Sequence, residues 1–309
     1  NACKIRLRSD VPIASCLSGG LDSSSIVSTI AELRNKQVSI ERFKGGSQNV
    51  FICDFVGDKN SEIEYANDVV KKSSVNPYYL KLEYNKINPE DMLKSSFDQE
   101  SLDEPAIGPW LIYKMMRKNN IRVSIDGSGA DESIGGFWVH PEIGMSDSFW
   151  PWSEKGRFDD LQKIRQKINL TENNLSRKKI FIKKIFGNKM YNLLANLKNN
   201  KSLFEKNYNL INKTKLEYPV SDDISKFDNL NQELYTELHQ SVTPALCKKF
   251  DRISMAHGVE SRAPFLDPNI ITYLFSLPSN TKVGNGFTKR ILRDSMAGLV
   301  PNSVLTRTD

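Results

Sequence analysis

The sequence predicts an α/β protein built on a doubly wound parallel sheet. Short apolar runs suited to buried parallel strands recur at residues 11–15, 50–56, 78–82 and 122–126. Stretches with apolar residues at helical spacing lie between them. A Gly-Gly turn joins the first strand to the first helix. Strands alternating with helices place ligands at the carboxyl ends of the strands.

Residues 1–10 read as the end of a helix leading into the first strand. Val11-Pro12-Ile13-Ala14-Ser15 is that strand, and Ile26, Val27, Ile30 and Leu33 mark the following helix. Between them runs Cys16-Leu17-Ser18-Gly19-Gly20-Leu21-Asp22-Ser23-Ser24-Ser25. Gly19 and Gly20 allow a sharp turn and close approach to a ligand. The serines place hydroxyls beside the free amides of the first helical turn, where amides and helix dipole attract an anion. A phosphate or pyrophosphate fits. Asp22 beside it calls for a cation between the two, and Mg²⁺ is the usual one. A plain Gly-Gly turn with Ser caps is the bland alternative. Ser18 before the glycines, with Asp22 and the serines after them, favours phosphate. The loop is neither a Walker sequence nor Gly-x-Gly-x-x-Gly.

A second strand is expected over 50–56, then a turn at 57–60. Ser61 would cap a helix burying Ile63, Ala66, Val69 and Val70. Residues 78–82 form a third strand. One helix follows Asn88-Pro89 with Met92, Leu93 and Phe97, and another covers 110–118. Arg122-Val123-Ser124-Ile125-Asp126 is the fourth strand. Two acidic stretches fall at strand ends: residues 100–105 and Asp126-Gly127-Ser128-Gly129-Ala130-Asp131-Glu132, the latter followed by Gly135-Gly136-Phe137. The glycines of the second stretch serve equally a tight loop or a close ligand.

The chain has 309 residues and a net charge of +6. Residues 150–217 carry 16 Lys+Arg against 6 Asp+Glu, leaving the remainder net acidic. This segment has a helical, Asn/Lys-rich pattern with an apolar stripe from Ile180 to Leu194. It reads as a solvated packing segment, because aromatics are not interleaved with the charges; nucleic acid is therefore not the expected partner. The four cysteines show no C-x-x-C spacing and the three histidines are scattered, which disfavours disulfides and zinc. Neither a membrane-length apolar run nor a signal peptide pattern is seen, so a soluble, cytoplasmic protein is expected. Near the carboxyl end, residues 250–267 pack Asp251, Arg252, Glu260 and Arg262 into apolar surroundings. These are either surface ion pairs or buried pairs fixing two segments.

Ser18-Gly19-Gly20-Leu21-Asp22-Ser23-Ser24 resembles the PP-loop of ATP pyrophosphatases, most closely the synthetase domain of the asparagine synthetase family. Residues 126–136 are similar to that family's Gly-x-Gly-x-Asp-Glu element, and residues 250–267 to its Asp-Arg-x-Ser-Met…Glu-x-Arg-x-Pro-Phe-Leu-Asp run. Lys289, Leu292, Arg293, Pro301 and Arg307 follow its closing pattern. The likeness covers 5–135 and 235–309. It implies one PP-loop domain: a nucleotide core at 1–140, a variable helical basic part at 141–235, and helices at 236–309 completing the site.

The resemblance implies adenylation of a small-molecule carboxylate by ATP with Mg²⁺, release of pyrophosphate, and transfer of nitrogen to give an amide. It makes Ser18, Gly19, Gly20, Leu21, Asp22, Ser23 and Ser24 the triphosphate cradle, and Asp22 and Asp103 the Mg²⁺ ligands. Cys16 or Leu17, Ile52 or Cys53, and Asp126-Gly127 would line adenosine. Glu100, Asp103 and Ser128 would form the catalytic set, and Glu260 and Arg262 would be structural. Ser128 stands where asparagine-making relatives carry glutamate, which separates asparagine as product from adenylation as chemistry. The family's phosphate-directed lysine is expected just past Arg307, and the sequence given ends at Asp309. Ammonia is expected from solution, a glutaminase domain or a separate protein; alternatively, an amine within the substrate closes a ring. A homodimer is one open assembly. A tRNA-modifying PP-loop enzyme and a non-catalytic ATP-binding partner are the competing readings.

Overall fold

The computed structural model describes residues 1–39, 48–57, 61–82, 106–147 and 222–307. The helix expected after Asn88-Pro89, the basic segment with its stripe from Ile180 to Leu194, and the candidates Glu100 and Asp103 lie outside them.

The chain opens with α1 (Ala2–Arg6), β1 (Ile13–Cys16), α2 (Leu21–Asn35), β2 (Asn49–Phe55), α3 (Ile63–Ser73) and β3 (Asn76–Leu82). After the next described break come α4 (Ile107–Lys118), β4 (Val123–Ile125), α5 (Asp131–Ile134) and α6 (His140–Ser146). The carboxyl part holds α7 (Asn229–His239), α8 (Val242–Met255), β5 (Glu260–Arg262), α9 (Pro268–Phe275), α10 (Ser279–Lys282), α11 (Arg290–Ser295) and α12 (Asn302–Leu305).

All pairings in the five-stranded sheet are parallel, in the order β3-β2-β1-β4-β5. The doubly wound sheet read from the sequence is therefore present. Chain order reverses beside β1, whose other neighbour is β4, and a crevice opens there at the carboxyl ends. The strand alternation sorts side chains between two cores. Leu17, Val50, Ile52 and Ile125 pack with Val27 and Ile30 of α2, Ala66 and Val69 of α3, and Leu292 and Val304 of α11 and α12. Ala14 and Phe51 face the opposite side, against Trp110, Tyr113 and Met116 of α4 and Ile253 of α8. Each fully buried Val, Leu, Ile, Phe or Met side chain stabilises by about 1.5–3 kcal/mol, more than the helix-propensity differences among ordinary residues. A third cluster joins Leu230 and Leu234 of α7 to Val283.

Several boundaries move. β1 begins at Ile13, because Pro12 has no N–H for a ladder. β3 begins at Asn76, whose side-chain amide bonds Asn49 across the strands. Glu62, not Ser61, occupies the N-cap position of α3, and its side chain makes no capping bond. The strand β5 was not foreseen. Its residues Glu260-Ser261-Arg262 are polar, and only pairing with Val123–Ile125 makes them a strand. Arg262 then bonds Glu260 Oε1 at 2.8 Å and the carbonyls of Arg6 and Arg8, while Arg6 pairs with Asp267 at 2.8 Å. These ties clamp the amino-terminal segment against the edge of the sheet. Asp251 and Arg252 are exposed.

Candidate active site

The Gly-Gly turn leaves β1 at the crevice. Gly19 has φ +100°, and a Cβ there would stand 2.5 Å from the Glu62 carbonyl oxygen, so only glycine fits between the turn and α3. Gly20 caps α2, and its N–H donates to Ser18 Oγ at 3.1 Å. Ser18 and Ser23 hydroxyls lie 3.0 Å apart, and Ser23 Oγ also accepts from the Ser18 amide. The loop is thus pre-shaped by its own serines with α2's first amides at its centre, a ready anion site.

The other predicted loop residues divide. Leu17, Leu21 and Ser24 turn their side chains into the interior, so the backbone is what they offer a nucleotide. Ser25 Oγ bonds the Leu21 carbonyl oxygen at 2.6 Å and is spent on the helix. Of the alternatives for adenosine, Leu17 and Ile52 are sealed in one core, Ile52 at 0% exposure. Cys16 and Cys53, partly exposed, lie on the α4 side of the sheet. Burial pushes both thiols up, Cys53 to about 11, so neither is a nucleophile at neutral pH.

β4 delivers the second loop. Asp126 is buried and accepts hydroxyls from Ser124 (2.6 Å), Tyr113 (2.8 Å) and Ser261 (2.8 Å). Its side chain is thus tied to three hydroxyls at the end of the sheet. Gly127 lies against the phosphate loop: a Cβ there would come 2.9 Å from the Ser23 amide. Gly129 presses on Leu266. Ser128 is held between these two contacts, partly exposed.

Lys289, given no role by the sequence, joins the site. Lys289, at the N-cap of α11 with φ +50°, sends its ammonium to Asp22 Oδ2 at 2.5 Å and Asp131 Oδ1 at 2.7 Å. A lysine in left-handed backbone costs on the order of 1 kcal/mol, so its position is imposed by its surroundings. Burial disfavours the ammonium, but the two carboxylates outweigh it and hold its pKa well above the ordinary value. Burial, with Asp131 adding and Lys289 opposing, raises the Asp22 carboxyl. Lys289 thus brings a cation to the Gly-Gly turn. Arg307 itself pairs with Glu62 and lies over the Tyr65 ring, bracing the wall behind Gly19. The spacing of Lys289 gave no sign of this, since 267 residues separate it from Asp22.

Asp22 Oδ1 is buried with no hydrogen-bond partner among the described residues. A buried carboxylate oxygen left open beside an anion cradle suits a hard divalent cation. Mg²⁺ is commonly held by one or two carboxylates plus phosphate oxygens, so Asp22 fits as its protein anchor. Among the described residues no group of three or more His, Cys, Asp or Glu forms a preformed cage. No described helix is long and apolar enough to cross a membrane.

A parallel sheet with a Ser-Gly-Gly-x-Asp-Ser turn at its switch point defines the PP-loop class of α/β nucleotide-binding domains. A family model for asparagine synthase matches residues 1–308, and the chain belongs to that family. It is 27% identical over 325 residues to "Asparagine synthetase [glutamine-hydrolyzing] 1" of Bacillus subtilis, covering 99% of this chain and 47% of that protein. A putative glutamine-hydrolysing asparagine synthetase of Mycobacterium bovis is 25% identical over 309 residues, with 97% and 44% covered. "Amidase chry2" of Gibberella zeae is 24% identical over 335 residues, with 98% and 49% covered. The chain spans about half the length of these relatives.

Proposed function

We propose that this chain is the synthetase part of an ATP-dependent amide-forming enzyme. Substrate carboxylate oxygen attacks the α-phosphorus of ATP, and the bond to the pyrophosphate oxygen breaks. A nitrogen nucleophile then attacks the acyl carbon, and AMP leaves with the electron pair of the acyl C–O bond. The carrying observation is Lys289 locked onto Asp22 at the mouth of the serine-lined turn. A fixed cation beside the amides of α2 stabilises charge as it develops on the departing pyrophosphate without reorganising at that moment.

The roles divide by geometry. The amides and hydroxyls of residues 18–23 grip the pyrophosphate half. Asp22 would anchor Mg²⁺ through its open oxygen; bound there, the metal neutralises phosphate charge. Gly127, packed against Ser23 and Asp22, lets the two loops meet closely at the edge of the cradle. Cys16 and Cys53 would border the adenine. Glu100 and Asp103 remain candidates for proton handling and for a second metal carboxylate. Ser128 supplies a hydroxyl where a glutamate would add negative charge, so the accepted acid need not be aspartate. The relatives named as glutamine-hydrolysing support a glutaminase as nitrogen source.

The test is exchange of labelled pyrophosphate into ATP, with Mg²⁺ and a panel of carboxylic acids. Acid-dependent exchange is expected, and Asp22→Asn should raise the Mg²⁺ needed for half-maximal exchange at least tenfold. ATP hydrolysis to ADP and phosphate, with no exchange for any acid, would overturn the proposal.

A further inference from the structure

A buried histidine–glutamate pair lies behind the lysine slot and takes no part in the chemistry above. His140, first residue of α6, is 0% exposed. Its Nδ1 accepts the Phe137 N–H at 3.1 Å. That nitrogen therefore carries no hydrogen, and the ring proton sits on Nε2. Nε2 is 2.9 Å from Glu237 Oε2 and donates to it. Glu237 shares the inner face of α7 with Leu230 and Leu234, where an apolar residue would pack at lower desolvation cost. The pair fixes one tautomer and one orientation, and so fixes the Phe137 amide.

Phe137 follows Gly135-Gly136, whose two amides donate to the Asp131 carbonyl oxygen at 3.0 Å each. Gly136 lies so close to the site that a Cβ on it would overlap both the Asp131 carboxylate and Lys289 Cε. The turn is a wall of the lysine slot. Asp131 holds one end, and the His140 ring holds the other.

We propose that His140 and Glu237 are positioning residues for Lys289. They set the wall that keeps its ammonium aimed at the triphosphate cradle. This inference rests on the adenylation reading above, because it assigns Lys289 the phosphate-facing role. A small displacement of such a group costs roughly tenfold to a hundredfold in rate.

The test uses the full chain with ¹⁵N-labelled lysine, the Lys289 ammonium signal being assigned by Lys289→Arg. His140→Asn keeps an acceptor near the Nδ1 position and loses the Glu237 link. His140→Gln does the reverse. Glu237→Met removes only the acceptor and frees the ring proton to move to Nδ1. All three should shift or broaden the Lys289 signal. They should also lower ATP–pyrophosphate exchange at saturating ATP by roughly tenfold or more, with the ATP Kd changed less than about threefold. Glu237→Gln, which keeps an acceptor oxygen, should restore both to near wild type. A Lys289 signal unmoved in every variant that folds, whatever happens to melting temperature, overturns the proposal. If wild type shows no exchange while the Lys289 signal still responds, adenylation fails and the positioning of Lys289 stands.

Discussion

Lys282 and Lys289 lie seven residues apart, and both are largely buried, yet their surroundings drive them in opposite directions. Lys289 faces two carboxylates at the end of the sheet and is held charged. Lys282, at 0% exposure, bonds Asn231 Oδ1 at 2.5 Å and stands 4.6 Å from the Phe275 ring centroid. Burial pulls its pKa down to about 8, with only Asp228 opposing. A buried cation with carboxylate partners is held firmly charged; one with an amide and a ring loses its proton more readily. The sheet's carboxyl end is thus built for charge, and the α7 cluster is built for cohesion.

The largest test of this contrast removes the firmly held charge. Lys289→Ala should lower ATP–pyrophosphate exchange by about a thousandfold, the loss typical of a preorganised group facing developing charge. Lys282→Met should leave exchange within about threefold. Equal losses in the two variants would erase the distinction. Next is Gly136→Ala, whose methyl displaces Asp131 or Lys289. It should cost roughly tenfold to a hundredfold in exchange and about 1–3 kcal/mol in stability, read from the urea midpoint.

The cohesive side is read through pH. The folded pKa of Lys282, about 8, lies below the ordinary 10.5. Its contribution to stability is therefore complete above pH 10.5 and is lost as pH falls toward 8. Wild type should gain about 2–3 kcal/mol over Lys282→Met between those values, since other titrating groups cancel in the difference. The smallest effect belongs to His257, packed edge-on against Trp110 and lowered to about 4 by burial and Lys114. Its stabilisation is present above pH 6.5 and lost as pH falls through 4. After discount for solvent screening, His257→Phe should remove about 1 kcal/mol of that acid sensitivity, measured by thermal melting at pH 7 and pH 4.5.

The sequence made the first four strands legible because each is an apolar run bounded by turn residues. The turn at Gly19-Gly20 was legible because adjacent glycines between an apolar strand and a helical pattern call for one. Glu260-Ser261-Arg262 hid as a strand because its pattern is polar and its partner lies 137 residues upstream, Glu260 opposite Val123. Ile52 and Ser24 could be assigned to the nucleotide by position but not by side-chain direction, since only packing tells which face of a strand or helix is sealed.

By itself, the chain determined its layer architecture, its Gly-Gly turn and the family it resembles. These are local properties: periodicity, conformational freedom at Gly19, and hydroxyls within a few residues of free amides. The tertiary structure alone decided which cation stands beside that turn. Lys289 reaches Asp22 across 267 residues, through a left-handed backbone and past a wall set by His140 and Glu237. Charge pairing acts over ångströms in space, and no spacing along the chain encodes that distance.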